Sequence, residues 1–165
     1  MKSILFALII NIASFGLFAD YPKHWWGPIN DPKAPSWEIL PQAAGANEVI
    51  LSKRNELGIL SNFADTKFVF KGKSYASMEG FWQAMKFPEG VDDERRKPGI
   101  LWPIERAAVE QMIGFEAKDA GKIGSDNMKL LNINWVSFEG KKLVYKTSEK
   151  LEHYDLIYAA MVDKL

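Results

Sequence analysis

Five of the eight prolines in this 165-residue chain lie within residues 20–46. Because proline has no backbone N–H to donate and disfavours a helical residue before it, that stretch is expected to be extended or irregular. It also contains Trp25, Trp26 and Trp37, and tryptophan is highly buried on average. We predict a Pro/Trp-rich arm over residues 20–46 that wraps the folded domain and holds to it through these rings. The alternative is a lip on which a ligand stacks.

The first 19 residues, MKSILFALIINIASFGLFA, have the features of an export signal. One lysine precedes an apolar run from Ile4 to Phe18, and the small residue Ala19 is followed by polar Asp20. This order is typical of a secretory signal. The sequence therefore predicts a signal peptide over 1–19, cleaved after Ala19, and a secreted or periplasmic protein that is not membrane-bound after cleavage. An uncleaved membrane anchor is the alternative, although the run is short for a hydrocarbon core of about 30 Å.

Composition excludes several kinds of site. Basic and acidic residues number 21 each, so a nucleotide would need a local pocket rather than an overall basic surface. Cysteine is absent, which excludes disulfides, iron–sulfur clusters and cysteine nucleophiles. The two histidines, His24 and His153, are too few for a His-rich metal site. Each is expected to be an ordinary surface or core residue.

The remaining residues, 47–165, predict one domain of the α+β class, mostly helical with a small antiparallel strand element. Residues 67–76 read as a hairpin turning at Gly72, and 48–53 as a short strand. Ser77 is a predicted helix N-cap. Helices are predicted over 78–87, 103–113, 115–122 and 148–165.

The helix predicted over 78–87 carries two stripes. Glu79, Gln83 and Lys86 recur at helical spacing and form one polar edge. The adjacent apolar stripe consists of Met78, Phe81, Trp82 and Met85. A carboxylate, an amide and an ammonium beside a core-facing stripe are compatible with a site. They are equally compatible with an ordinary solvated face carrying a weak ion-pair ladder.

The stretch from Gly58 to Phe87 resembles the signature of the NADAR family, which includes N-glycosidases acting on riboflavin-synthesis intermediates and ADP-ribosyl-guanine glycohydrolases. The features that carry the resemblance are the SNF turn at 61–63, the spacing of Phe68, Gly72 and Tyr75, and the block of Ser77, Glu79, Gln83, Ala84, Lys86 and Phe87. Weaker matches follow over 112–121, at Trp135 and over 160–165. The resemblance extends from Ile59 to the end of the chain.

The resemblance implies hydrolysis of an N-glycosidic bond, in a ribosylamino-pyrimidine intermediate or in ADP-ribose attached to guanine. Breaking a C1′–N bond develops positive charge on the ribose. A carboxylate beside C1′ can stabilise that charge and take a proton from water. The matching motif gives this role to Glu79. Lys86 is predicted as a second catalytic residue, which meets a phosphate or attacks the sugar C1 to form a Schiff base.

Four further side chains are predicted to bind the substrate. Asn62 and Gln83 would fix ribose hydroxyls or the base edge. Trp82 and Trp135 would stack on a ring, with core packing as the alternative role for Trp82. The expected partner is a nucleotide-like small molecule, ADP-ribose or a ribosylated base, and no metal or cofactor is expected.

The resemblance also implies a pocket-closing stretch, with an Asp and a Trp-Gly element, beyond the position of Leu165. The domain is therefore expected to be truncated at its C-terminus or to lack that wall. Residues 136–146 look like an insertion relative to the family, and Gly80 stands where histidine is common. Two other functions remain open: a non-catalytic module that binds ADP-ribose-like nucleotides, and an exported structural or interaction protein that keeps only the fold.

Overall fold

The computed structural model describes residues 23–165 except 37, 47, 53 and 147–150. The predicted signal peptide with its cleavage point, and Trp37 of the arm, lie outside the described residues. The described part is an α+β fold of four α-helices and two antiparallel two-stranded sheets, which confirms the predicted class. The helices are α1 (Met78–Ala84), α2 (Arg106–Val109), α3 (Gly114–Leu130) and α4 (Glu152–Lys164), and the strands are β1 (Phe68–Phe70), β2 (Lys73–Tyr75), β3 (Trp135–Phe138) and β4 (Lys141–Val144).

Both sheets are hairpins closed by the same kind of turn. β1 and β2 pair antiparallel, as predicted for residues 67–76. Their turn residues, Lys71 and Gly72, have φ of 49° and 77°. Glu139 and Gly140 repeat this between β3 and β4, with φ of 49° and 74°. Two consecutive residues with positive φ give the turn that matches the twist of a tight hairpin.

The second hairpin belongs to the core. Val136 and Leu143 are cross-strand partners, and both are buried in the same cluster as Phe81 of α1 and Ala160 of α4. Residues 136–146, which the resemblance sets aside as an insertion, therefore help to form the main hydrophobic core.

Helix α1 begins where the sequence predicts and lies at the centre of the domain. The Ser77 hydroxyl accepts a hydrogen bond from the Gly80 N–H at 2.9 Å, which confirms the predicted N-cap. The regular helix ends at Ala84, and a tighter turn follows in which the Phe87 N–H donates to the Ala84 carbonyl at 2.9 Å. Pro88, which cannot donate a backbone hydrogen bond, comes next.

Helix α3 is longer than the predicted 115–122 because its glycines do not end it. Gly121 and Gly124 lie inside the helix, on the side that packs against α1. A Cβ at position 121 would fall 1.7 Å from Gln83 Oε1, and one at 124 would fall 2.9 Å from Lys86 Cβ. These glycines allow α1 and α3 to approach closely.

Of the other predicted elements, two helices form over part of their predicted length and one strand does not form. α2 occupies four residues of the predicted 103–113, and α4 begins later than the predicted 148. Residues 48–52 form no strand.

Of the described helices, none has the length and apolar character needed to cross a bilayer.

The described residues of the arm are irregular apart from two short 3₁₀ turns, as the prolines predict. The Arg54 guanidinium pairs with the carboxylates of Asp31 and Glu38. The Trp25 indole donates to Glu56 Oε1 at 2.6 Å. The described part of the arm is therefore held to residues 54–56 by charged and polar contacts.

A group that we call the arginine cluster joins the end of α1 to α2 and β3. Arg95, 1% exposed, pairs with Asp93 at 2.7 Å and donates to Ser137 Oγ at 2.6 Å. Arg106 donates to the Ser137 carbonyl at 3.0 Å and contacts Glu110 Oε1 at 3.3 Å. Both guanidinium groups in this buried cluster thus have a carboxylate as a direct partner.

Candidate active site

The polar edge of α1, made of Glu79, Gln83 and Lys86, is buried rather than solvated. The three residues are only 7%, 6% and 5% exposed. Gln83 Nε2 donates to Glu79 Oε1 at 2.7 Å, and Lys86 Nζ donates to Gln83 Oε1 at 2.6 Å. The amide therefore links the carboxylate to the ammonium, and the alternative of a solvated ion-pair ladder is wrong.

Helix α3 buries this edge. Lys86 Nζ also donates to the Gly121 carbonyl at 3.3 Å and to Ser125 Oγ at 3.0 Å. The pKa of the Lys86 ammonium is lowered to about 8, mainly by burial and also by the nearby charge of Lys146, while the charge of Glu79 opposes the shift. The sequence predicts neither Ser125 nor the role of Gly121, because only the packing of α3 on α1 brings them to Lys86.

A hollow of about 290 Å³ opens at the Glu79 end of the polar edge. The loop before β1 reaches it through Asn62, whose carbonyl accepts the backbone N–H of Glu79 at 2.8 Å. Asn62, Met78, Glu79, Trp82, His153 and Ile157 line the hollow. A carboxylate, an amide, an indole and an imidazole thus meet on largely apolar walls, as is usual for small-molecule sites.

Trp82 forms an aromatic wall of the hollow. It is partly buried, with its ring centroid 4.9 Å from that of His153 and 5.4 Å from that of Tyr145. Lys86 Nζ lies 5.3 Å from the indole centroid but is not among the residues that line the hollow. Trp82 therefore packs against the core and faces the hollow as well, so its two predicted roles are compatible.

Trp135 is not brought to this site. It lies on β3 beside the arginine cluster, with Arg95 Cζ 4.9 Å and Lys142 Nζ 4.7 Å from its ring centroids. It borders a separate depression with residues 92–94. The structure therefore brings together Glu79, Gln83, Lys86, Asn62 and Trp82, but not Trp135.

His153 lines the hollow, although the sequence predicts only a surface or core residue. Burial lowers the pKa of its imidazole below the usual 6.5. The signal that could have found it is its register on α4, where Ile157 and Ala160 follow at i+4 and i+7 and face the domain.

Chemically, the arrangement offers one carboxylate held by an amide beside a hollow with two aromatic rings. Across the described ranges there is no group of three or more His, Asp and Glu side chains placed to hold a metal ion.

The comparisons with known proteins return no match: no family model fits the chain, and no curated protein or solved structure is significantly similar to it.

Proposed function

We propose that this protein hydrolyses the N-glycosidic bond of a ribosylated or ADP-ribosylated base, the reaction implied by its resemblance to the NADAR family. One observation carries the proposal. The Glu79 carboxylate is buried, held by the Gln83 amide, and borders a hollow whose other walls include Trp82 and His153. A carboxylate removed from water beside a cavity can act on developing positive charge more strongly than one in solvent.

The proposed reaction follows from that placement. The C1′–N bond breaks, its electron pair leaves with the base, and the ribose gains oxocarbenium character. The Glu79 carboxylate stabilises this charge and takes a proton from water as the water oxygen bonds to C1′. The departing base takes up a proton from solvent and Glu79 afterwards releases its proton to solvent, so the products are the free base and a ribose with a hydroxyl at C1′.

Gln83 and Lys86 are assigned to holding the carboxylate. Lys86 donates to Gln83 Oε1 at 2.6 Å, which fixes the amide so that its NH₂ group points to Glu79. In this role Lys86 is a positioning residue.

The Schiff-base role predicted for Lys86 remains a second mechanism for the same reaction. With a pKa of about 8, roughly a tenth of the amine would be neutral at pH 7 and able to attack C1. Its Nζ is engaged by Gln83, Gly121 and Ser125, so attack requires these bonds to open. Borohydride reduction during turnover distinguishes the two mechanisms, because only a Schiff base gives a protein adduct that Lys86→Arg abolishes.

The size of the hollow limits what it holds. About 290 Å³ lies at the lower end of the range for small-molecule sites, roughly 300–1,000 Å³. The proposal asks this space to hold a base and the ribose joined to it, whereas the remainder of an ADP-ribosylated substrate would lie outside it.

The test is release of free base from ADP-ribosylated guanosine and from a ribosylamino-pyrimidine. We expect the wild type to release base from at least one of them, and Glu79→Gln to lose nearly all of that activity. The matched control is Glu116→Gln, an exposed glutamate in the first turn of α3, which should keep full activity. Activity that survives Glu79→Gln unchanged would refute the catalytic assignment.

The same experiment separates the other two functions. Binding of ADP-ribose without cleavage of either substrate would identify a nucleotide-binding module. A ligand at 100 times its dissociation constant adds about 2.7 kcal/mol to stability. No thermal shift with any nucleotide would therefore favour a structural or interaction protein.

Export is part of the proposal. The mature protein would begin at Asp20 and act outside the cytoplasm. N-terminal sequencing of protein recovered from the periplasm or medium tests this, and recovery only of chains beginning at Met1 would contradict it.

A further inference from the structure

The hollow beside Glu79 has walls from three parts of the chain. Helix α1 contributes Glu79 and Trp82, helix α4 contributes His153 and Ile157, and a third wall comes from Asn62. We call residues 59–62 the Asn62 segment, because they lead into the loop before β1. The shape of the hollow depends on how each pair of these three walls is joined.

Helix α1 is joined directly to both of the other walls. Its Trp82 ring packs against the His153 ring of α4, with 4.9 Å between the ring centroids. The Glu79 N–H donates to the Asn62 carbonyl at 2.8 Å. This N–H lies in the first turn of α1, where backbone donors have no partner within the helix. The Asn62 segment therefore supplies a partner to the same residue that carries the proposed catalytic carboxylate.

The third junction, between α4 and the Asn62 segment, is made by Lys164 in the last turn of α4. Its Nζ donates to the Ile59 carbonyl at 3.0 Å and to the Ser61 carbonyl at 2.9 Å. Lys164 is not among the residues that line the hollow. It lies seven residues beyond Ile157, or about 10 Å farther along the helix axis. Lys164 thus holds the Asn62 segment from outside the hollow.

The contact is costly for a lysine. Lysine side chains ordinarily keep the ammonium in water and lose rotamer freedom when they are fixed. Lys164 is half-buried, and burial lowers the pKa of its ammonium below the usual 10.5. Its printed partners among the described residues are two main-chain carbonyls rather than a carboxylate. Hydrogen bonds from a charged donor are stronger than neutral ones, so this ammonium can hold the backbone of the segment in place.

We propose that Lys164 is a positioning residue for substrate binding: its ammonium holds the Asn62 segment against α4, so that Asn62 stays at the wall of the hollow beside Glu79. The role in substrate binding rests on the proposed function, whereas the junction itself does not. Lys164 acts through the segment and touches no substrate. Because Gln83 holds the Glu79 carboxylate independently, loss of Lys164 should weaken substrate binding more than the chemical step.

Hydrogen exchange at the Glu79 amide tests the junction without reference to activity. Lys164→Met keeps an unbranched side chain but removes the ammonium, and should speed exchange of that amide at least about tenfold, since two charge-assisted hydrogen bonds to the segment are lost. The Ser137 amide, which donates to the Met85 carbonyl at 3.0 Å, should not change. The matched control is Lys122→Met, at an exposed lysine of α3, which should alter neither amide.

Kinetics test the role in substrate binding, with ADP-ribosylated guanosine and a ribosylamino-pyrimidine as the substrates. Lys164→Met should raise KM about tenfold and leave kcat nearly unchanged, which is the pattern expected when a binding interaction is lost. Lys164→Arg keeps a cation with several donors and should recover most of the amide protection and of the KM. Thermal unfolding of each variant shows whether it folds.

Several results would overturn the inference. Unchanged exchange at Glu79 would show that Lys164 does not hold the segment, and an equal rise at Ser137 would show general destabilisation instead. Unchanged KM, or a fall in kcat without a rise in KM, would remove the role in binding. If the wild type cleaves a substrate and Lys164→Met changes neither exchange nor KM, the inference fails and the proposed function stands. If no substrate is cleaved but only Glu79 exchange rises, the proposed function fails and the junction stands.

Discussion

The polar edge and the arginine cluster both bury charge beside α1, but they do so differently. In the arginine cluster each guanidinium directly meets a carboxylate: Arg95 contacts Asp93 at 2.7 Å and Arg106 contacts Glu110 at 3.3 Å. In the polar edge an amide separates the carboxylate of Glu79 from the ammonium of Lys86. Only the polar edge ends at the hollow that Trp82 and His153 line.

This difference separates a structural cluster from a candidate site. Opposite charges in contact offset much of the cost of their burial, and breaking such a pair is strongly destabilising. A buried carboxylate and ammonium held apart by an amide recover less of that cost. A fold that retains the second arrangement gives up stability, and buried groups whose pKa is shifted, as that of Lys86 is, concentrate at functional sites.

The largest expected effect is in the arginine cluster. Arg95→Met removes the buried cation that pairs with Asp93, whose side chain is 12% exposed, and should cost about 3–5 kcal/mol of unfolding free energy. Arg96→Met removes a pair with Glu105, whose side chain is 65% exposed, and should cost less than about 1 kcal/mol. Urea unfolding of the two variants measures the contrast. Equal costs would show that the cluster is not structural.

The next largest change in stability is expected at one of two glycines that allow α1 to pack closely against its neighbours. A Cβ at Gly80 would lie 2.5 Å from the Met112 carbonyl, which is backbone, whereas one at Gly121 would meet only the Gln83 side chain. We expect Gly80→Ala to cost roughly 1–3 kcal/mol by overpacking. Gly121→Ala should cost less stability, because Gln83 can move, but should lose activity as the amide leaves Glu79.

Gly90→Ala controls this comparison, because nothing lies within 4 Å of a Cβ at that position. Thermal unfolding and base release are measured for all three variants. A Gly121→Ala protein with full activity would show that the link from Lys86 through Gln83 is not needed to hold the Glu79 carboxylate.

The effect expected at Lys86 is a dependence of stability on pH. Its pKa is about 8 in the fold and 10.5 ordinarily, so between these values the unfolded chain binds the proton that the folded chain has lost. Unfolding free energy therefore rises with pH across that window. Lys86→Met should remove this rise and leave stability at pH 7 unchanged or higher. Urea unfolding of the wild type and of Lys86→Met at pH 7 and pH 10 checks both expectations. A marked loss of stability of Lys86→Met at pH 7 would contradict the contrast drawn between the polar edge and the arginine cluster.

The smallest effect concerns His153. Its folded pKa is below 6.5, so on acidification the unfolded chain takes up the proton first and stability falls as pH drops below about 6.5. His153→Phe should lose that part of the pH dependence. An NMR titration of the wild type gives the pKa directly, and a midpoint above 6.5 would mean that the ring is not in the buried environment described.

Local signals predicted the centre of the fold well. The Ser77 cap, the hairpin over 67–76 and the start of α1 depend on residues next to each other in sequence, and all three are confirmed. The spacing of Glu79, Gln83 and Lys86 also placed them correctly on one edge. Spacing could not show whether that edge was buried, because burial comes from α3, more than 30 residues later.

The features that sequence reasoning did not predict depend on contacts between residues far apart in the chain. The glycine at 121 looked like the end of a helix because glycine is a poor helix former, whereas its missing side chain makes room for Gln83. Residues 136–146, which the resemblance marks as an insertion, supply Val136 to the core. The resemblance and its residue type predict Trp135 as a stacking residue, and residue type predicts His153 as an ordinary one. Only the folding of β3 and α4 shows that His153 reaches the hollow and Trp135 does not.

The central claim is that the Glu79 carboxylate lies against the carbon that joins a sugar to its base. A crystal structure of the Glu79→Gln variant with an uncleaved riboside tests it most directly. The account predicts C1′ within about 3–4 Å of the residue 79 side chain or of a water bonded to it, with the base against Trp82. A riboside bound elsewhere, or one in this hollow with its C1′ turned away from residue 79, would contradict the account.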